Sequence, residues 1–131
     1  MQHIKIKFIN DFSFRPEEYH DQDMYTLGEF FRCEVTNDTK YWINWINNSK
    51  SLSKCGNWMW LDKIQNDYII IGDGTIEPYD GYNPIPEGVL WIKNSELIKL
   101  LEKWSELYNS KAQEIMITKD GDVFEMYEIV A

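Results

Sequence analysis

Apolar residues recur three and four apart at Leu97, Leu100, Leu101, Trp104, Leu107 and Tyr108. At 3.6 residues per turn these positions form one stripe, which predicts a helix over 94–110. Asn94 or Ser95 can cap its start, and Glu96 stands in the first turn, where the helix dipole favours an anion. Lys99, Glu102, Lys103 and Glu106 fall on the other side, so opposite charges adjoin on the wet face. On either side of this stretch the period changes to two. Residues 88–93 are a short apolar run of strand formers. Residues 114–118 and 123–129 bracket Lys119, Asp120, Gly121 and Asp122, and Asp-Gly between two such runs predicts a β-hairpin. In the last strand Val123, Glu125, Tyr127 and Ile129 share one face; Phe124, Met126, Glu128 and Val130 share the other. Neither face is cleanly polar, which implies partial cover on both sides or an outer face used for contact.

Upstream the pattern is more mixed. Residues 2–8 alternate, with Ile4, Ile6 and Phe8 on one side and His3, Lys5 and Lys7 on the other, as a first strand does. Residues 10–23 are polar and irregular, with a short helical turn expected at Pro16-Glu17-Glu18-Tyr19. In 24–35, Met24, Leu27 and Phe31 fit a helix, yet 29–35 also reads as a strand, and the Asn37-Asp38 turn signal favours strand at its end. Asp38 or Thr39 can cap a short helix carrying Tyr41, Trp42, Trp45 and Ile46 on one side. Residues 51–57 read as a loop. Residues 58–64 and 68–71 read as strands joined around Gln65-Asn66-Asp67, the second almost without polar relief. A long loop, 72–87, follows. The sum is an α+β class: a single domain over residues 1–131, with a mostly antiparallel β-sheet packed against one main C-terminal helix and one or two shorter helices.

Composition narrows the function classes. The 131 residues include six Trp, eight Tyr and six Phe, a content that favours a folded core. The net charge of −9 disfavours a nucleic-acid binder, because such binding relies on Lys and Arg neutralising phosphates. No run is long and apolar enough for a membrane span. The N-terminus alternates instead of forming the apolar core of a secretory signal, so cytoplasm is the expected location. Cys33 and Cys55 need no disulfide in a chain of this size and are not in a CxxC arrangement.

Two acidic stretches are the candidate binding residues. In 11–38, Asp11, Glu17, Glu18, Asp21, Asp23, Glu29, Glu34 and Asp38 face only Arg15 and Arg32. In the long loop, Asp73, Glu77, Asp80 and Glu87 accompany Tyr79 and Tyr82, and acid with tyrosine suits a cationic protein surface. From these the partner-binding expectation is Asp73, Glu77, Tyr79, Asp80, Tyr82 and Glu87, with Glu17, Glu18, Asp21 and Asp23. Calcium is not assigned, since the EF-hand spacing is missing. His20, flanked by carboxylates, fits a general base on paper, but it lies in a polar surface stretch. G-x-S-x-G, H-E-x-x-H, Walker and G-x-G-x-x-G motifs are missing, so no catalytic, metal or cofactor residue is assigned. Trp42, Trp45, Trp58 and Trp60 offer the alternative of a small ligand- or carbohydrate-binding module over 42–60.

The acids of 11–38, the loop GDGTIEPYDGYNPIPE and the unit VLWIKNSELIKLLEKW…EIMITKDGDVFEMYEI together resemble the immunity proteins of bacterial polymorphic-toxin and contact-dependent growth inhibition systems. That resemblance is one of whole-chain profile. It implies a cytosolic, acidic α+β protein that is not an enzyme and uses no cofactor. Such a protein binds a cognate toxin domain, frequently a basic nuclease, and masks its active site or substrate surface. The expected partner is therefore that toxin domain, with no nucleic acid and no membrane; the oligomeric state stays open.

Overall fold

The apolar stripe of the long helix is covered by two sheets and two other helices. A computed structural model describes residues 2–9, 13–19, 22–56, 58–75 and 88–130, with the backbone alone described at 6–9, 13–19, 22 and 65. The elements are β1 (Gln2–Ile9), β2 (Ser13–Tyr19), α1 (Gln22–Glu29), a π-helical turn (Phe30–Val35), α2 (Thr39–Asn48), β3 (Ser53–Cys55), β4 (Met59–Ile64), β5 (Tyr68–Asp73), β6 (Val89–Lys93), α3 (Asn94–Asn109), β7 (Glu114–Asp120) and β8 (Val123–Glu128). The strands form two four-stranded antiparallel sheets, β2-β1-β7-β8 and β3-β4-β5-β6. The α+β class and the dominant C-terminal helix are as the sequence predicts; the division into two sheets was not visible in it.

The main core draws Ile4, Ile115, Ile117, Phe124 and Met126 from the first sheet and Leu61, Ile69, Ile71, Leu90 and Ile92 from the second. Between them lie Met24 and Leu27 of α1 and Leu97, Leu100, Leu101 and Trp104 of α3. Helix α1 touches β1 and β2 on one side and β5 and β6 on the other, so it joins the sheets. An aromatic run completes the junction. Trp45 packs edge-on to Trp42 (6.3 Å between ring centres), Trp42 to Phe30 (5.1 Å), Phe30 to Phe31 (5.4 Å), and Phe31 against Trp104 (5.1 Å). Edge-on pairs of this kind add to the gain from area alone. Trp104 is fully buried, and its indole N–H donates to the Thr36 carbonyl at 2.6 Å. Thr36 ends the π-helical turn at φ 45, a left-handed conformation that costs energy for a β-branched residue.

Several local expectations are corrected. The predicted helical turn at 16–19 is strand: β2 pairs along β1, with a register shift between Lys5 and Ile6 where Pro16 falls opposite Ile6. Proline is tolerated there because β2 is an edge strand and the ladder is broken at the bulge. Residues 29–35 are helical, not strand. The helical course buries Phe30, Phe31 and Val35 on one side, and the backbone N–H of Thr36 reaches back to Phe31 O at 3.0 Å. Residues 53–55 pair with β4 where a loop was expected, because an existing strand offers unpaired backbone groups. The cap position of α3 falls on Lys93, not on Asn94 or Ser95, and neither Lys93 nor Asp38 makes a side-chain cap bond. The hairpin turn is Gly121-Asp122, closed by Asp120 opposite Val123, with Gly121 at φ 63 as a turn led by glycine requires.

Polar contacts orient the helices. Lys63 of β4 donates to the Trp45 and Ser49 carbonyls (2.7 and 2.9 Å), placing a cation at the α2 C-terminus, which has no basic residue of its own. Glu96 accepts from the Phe124 backbone N–H at 2.8 Å and pairs with Lys99 at 2.9 Å, tying α3 to β8. No helix among the described residues is long and apolar enough to cross a membrane.

Trp104→Phe keeps most of the ring packing but leaves the Thr36 carbonyl without its indole donor, so urea unfolding should show a loss of about 1–3 kcal/mol. Trp104→Ala should cost about 3–5 kcal/mol. Glu96 gives a pH test. Partial burial works to raise its pKa, but the Phe124 N–H and Lys99 outweigh it and hold the carboxyl below its ordinary 4.5. A depressed folded pKa contributes stability in full above the unfolded value, lost as pH falls through the folded one. The stability gap between wild type and Glu96→Gln should therefore be widest at neutral pH and narrow as pH drops below 4.5.

Candidate functional site

The two roots of the long loop are held against α1 and the turn that follows it. At the far root, Thr26 Oγ1 of α1 donates to the Gly88 carbonyl at 2.8 Å, a buried bond. At the near root, Asp73 Oδ1 accepts from the Thr75 N–H and hydroxyl, both at 2.7 Å, which fixes an Asx-type turn as β5 ends. The Asp73 carbonyl accepts from the Trp60 indole at 3.1 Å, and the Gly74 N–H donates to Trp58 O at 2.8 Å. Trp58 is placed in turn by Glu34, whose Oε1 accepts its backbone N–H at 2.6 Å.

Beside this root lies an open cleft of about 580 Å³ lined by Tyr25, Glu29, Arg32, Cys33, Trp58, Met59, Asp73, Gly74 and Thr75. Glu29, Arg32 and Cys33 sit three and four apart, so the helical course through 29–35 brings them to one face. Glu29 Oε2 accepts from Arg32 Nη2 at 2.6 Å and Nε at 3.0 Å, and from Cys33 Sγ at 3.0 Å. Glu29 is nearly buried, and the guanidinium offsets the cost of burying its carboxylate. Burial pushes the Cys33 thiol up to about 12, and the Glu29 carboxylate adds to the shift. Partial burial opposes charge on Arg32, but Glu29 holds its pKa above the ordinary value. The cleft therefore presents a neutralised Glu29–Arg32 pair, a protonated thiol that is a poor nucleophile, an Asp73 carboxylate at the rim and an exposed indole.

The sequence-predicted partner residues are dispersed. Asp73 lies in this cleft. Asp23 stands in the first turn of α1, 3.8 Å from Lys119 Nζ, and its Oδ1 accepts from Gln2 Nε2 at 3.4 Å, so it ties α1 to β1 and β7. Asp23 and Asp73 share no partner among the described residues. Glu17 and Glu18 are in β2, where the backbone alone is described. His20, Asp21, Glu77, Tyr79, Asp80, Tyr82 and Glu87 lie outside the described residues. Of the four tryptophans proposed as a sugar platform, Trp42, Trp45 and Trp60 are core and only Trp58 is exposed. Glu29, Arg32, Cys33 and Trp58 were missed as a group; their signal was the three-and-four spacing that the strand expectation concealed. Cys33 and Cys55 are both free thiols. Among the described residues no group of three or more His, Cys, Asp or Glu could hold a metal ion.

Thiol labelling checks the cleft. At pH 8, Cys33 should react roughly a hundredfold or more slowly than an ordinary thiol. A Cys55→Ser variant should therefore label slowly, and adding Glu29→Gln should speed Cys33 by removing a group that raises its pKa. No family model, curated protein or solved structure matches this chain.

Proposed function

We propose that this protein is a non-enzymatic inhibitor of the immunity type, which binds a basic partner domain and masks its active site or substrate surface. One observation carries the reading: among the described residues eight acids are exposed (Asp38, Asp67, Glu102, Glu106, Asp120, Asp122, Glu125 and Glu128) against five lysines (Lys40, Lys50, Lys93, Lys99 and Lys111), and several basic side chains are engaged within the fold. Arg32 is held by Glu29, Lys63 by the α2 carbonyls, Lys119 by Asp23 and Lys99 by Glu96. Asp38, Asp67, Glu102, Asp120 and Glu128 are exposed and take part in none of the described ion pairs. With a net charge of −9, the exterior field is therefore negative. A surface of this sign steers a basic domain and competes with phosphate for its Lys and Arg. The cleft adds no activated nucleophile to set against this reading.

The test is capture of the C-terminal domain of whatever large protein the neighbouring reading frame encodes, together with a growth-protection assay against that domain. Association should slow by about tenfold or more between low and near-physiological salt. A Glu102→Lys, Asp120→Lys variant should associate more slowly at low salt and approach wild type as salt rises. Salt-insensitive capture, or turnover of the toxin's substrate by this chain alone, would refute the proposal.

A further inference from the structure

Among the described residues strand β8 ends its sheet, with β7 on one side only. Asp120 opposite Val123, and the Ile129 N–H to Glu114 O bond at 3.0 Å, fix the alternation of the ladder. Val123, Glu125, Tyr127 and Ile129 turn their backbone groups to β7; Phe124, Met126 and Glu128 turn theirs to the open edge. The first of these outward donors, the Phe124 N–H, is held by Glu96 at 2.8 Å, so a carboxylate of α3 closes that end of the edge. Met126 and Glu128 have no such cover among the described residues. The side chains beside them are apolar and exposed: Tyr127 is 46%, Val123 52% and Val130 80% accessible. The register places Tyr127 next to Met116 and Glu125 next to Thr118 on the outer face. Acids outnumber bases here. Asp120, Asp122, Glu125 and Glu128 lie on the hairpin; Lys93 and Lys99 each stand 3.8 Å from one of them, Asp122 and Glu125, and the hairpin's one lysine, Lys119, is turned to Asp23 and the Phe124 ring.

We propose that the edge of β8 from Met126 to Val130 accepts an extended, basic segment of a partner protein as an added strand. Backbone bonds from Met126 and Glu128 supply the pairing, Tyr127 and Val130 the apolar contact, and Glu125 and Glu128 the preference for lysine or arginine. A second copy of this chain is the poorer occupant. It brings the same acids and another net charge of −9. Two-fold pairing about Met126 also needs the Phe124 N–H of each chain, which Glu96 holds. The proposal deepens the masking reading by naming a face and a binding mode, and it rests on that reading for the sign of the partner.

A short synthetic peptide alternating lysine and valine, titrated into the isotope-labelled full chain, tests it by amide chemical shifts. The expected result is saturable shifts confined to 124–130, none with a glutamate–valine peptide, and slower sedimentation than a dimer would give. Glu128→Pro removes an outward N–H that β7 does not use and should weaken the peptide by about tenfold, while Glu128→Gln, which keeps the N–H, should weaken it less. Should Glu128→Pro disturb the hairpin, Glu125→Lys with Tyr127→Lys leaves the backbone intact and should likewise abolish the shifts. Shifts elsewhere, unchanged binding by both variants, or a dimer that protects Met126 and Glu128 amides overturns the proposal. If the peptide fails while salt-sensitive protection against the toxin persists, the edge is wrong and the masking reading stands; if the peptide binds at 124–130 while protection is salt-insensitive, the edge stands and the masking reading falls.

Discussion

The hydrogen bond from the Trp104 indole to the Thr36 carbonyl fixes the relation between the two halves of the structure. Trp104 belongs to the helix that leads from one sheet to the other, and Thr36 ends the helical segment wedged between those sheets. A fully buried indole must find an acceptor, because an unpaired N–H in an apolar core is expensive. The Thr36 carbonyl accepts it, and that carbonyl is aimed by the left-handed conformation of Thr36. The cost of that conformation and the gain of the bond are thus coupled, and the aromatic run from Trp45 to Trp104 is threaded through the same point.

From that junction follows the shape of the cleft. The wider π-helical turn lets Phe30 and Phe31 both enter the core, which rotates Arg32 and Cys33 outward beside Glu29. Glu34 then lies where it can hold the Trp58 backbone, and through Trp58 and Gly74 it sets the path of the chain out of β5. The packing of two phenylalanines therefore determines how the long loop leaves the sheet.

Where local pattern and tertiary partner agreed, the sequence was legible. The α3 stripe, the buried Ile69-Ile70-Ile71 run and the β7–β8 hairpin each carry a period or a turn residue that admits one reading. Residues 29–35 were not legible, since Phe-Phe beside β-branched valine satisfies a strand as well as a helix, and only contact with Trp42 and Trp104 decides. Residues 13–19 and 53–55 became strand because a neighbouring strand offered its backbone, a fact that no window around Pro16 or Lys54 contains. The cleft was hidden for the same reason as the helix that builds it. Of the two partner-binding candidates whose side chains are described, Asp73 lies in it and Asp23 does not, because charge is visible in sequence while its internal use, as with Asp23 and Lys119, is not.

The first sheet is assembled from both ends of the chain: Gln2 lies opposite Lys119, while the second sheet is made wholly from the interval between. During synthesis β1 and β2 therefore emerge with α1 to pack on them, and β7, the other neighbour of β1, follows after the whole middle sheet and α3. The middle sheet is free to form earlier from neighbours close in sequence, and the β7–β8 hairpin completes the other by adding beside β1.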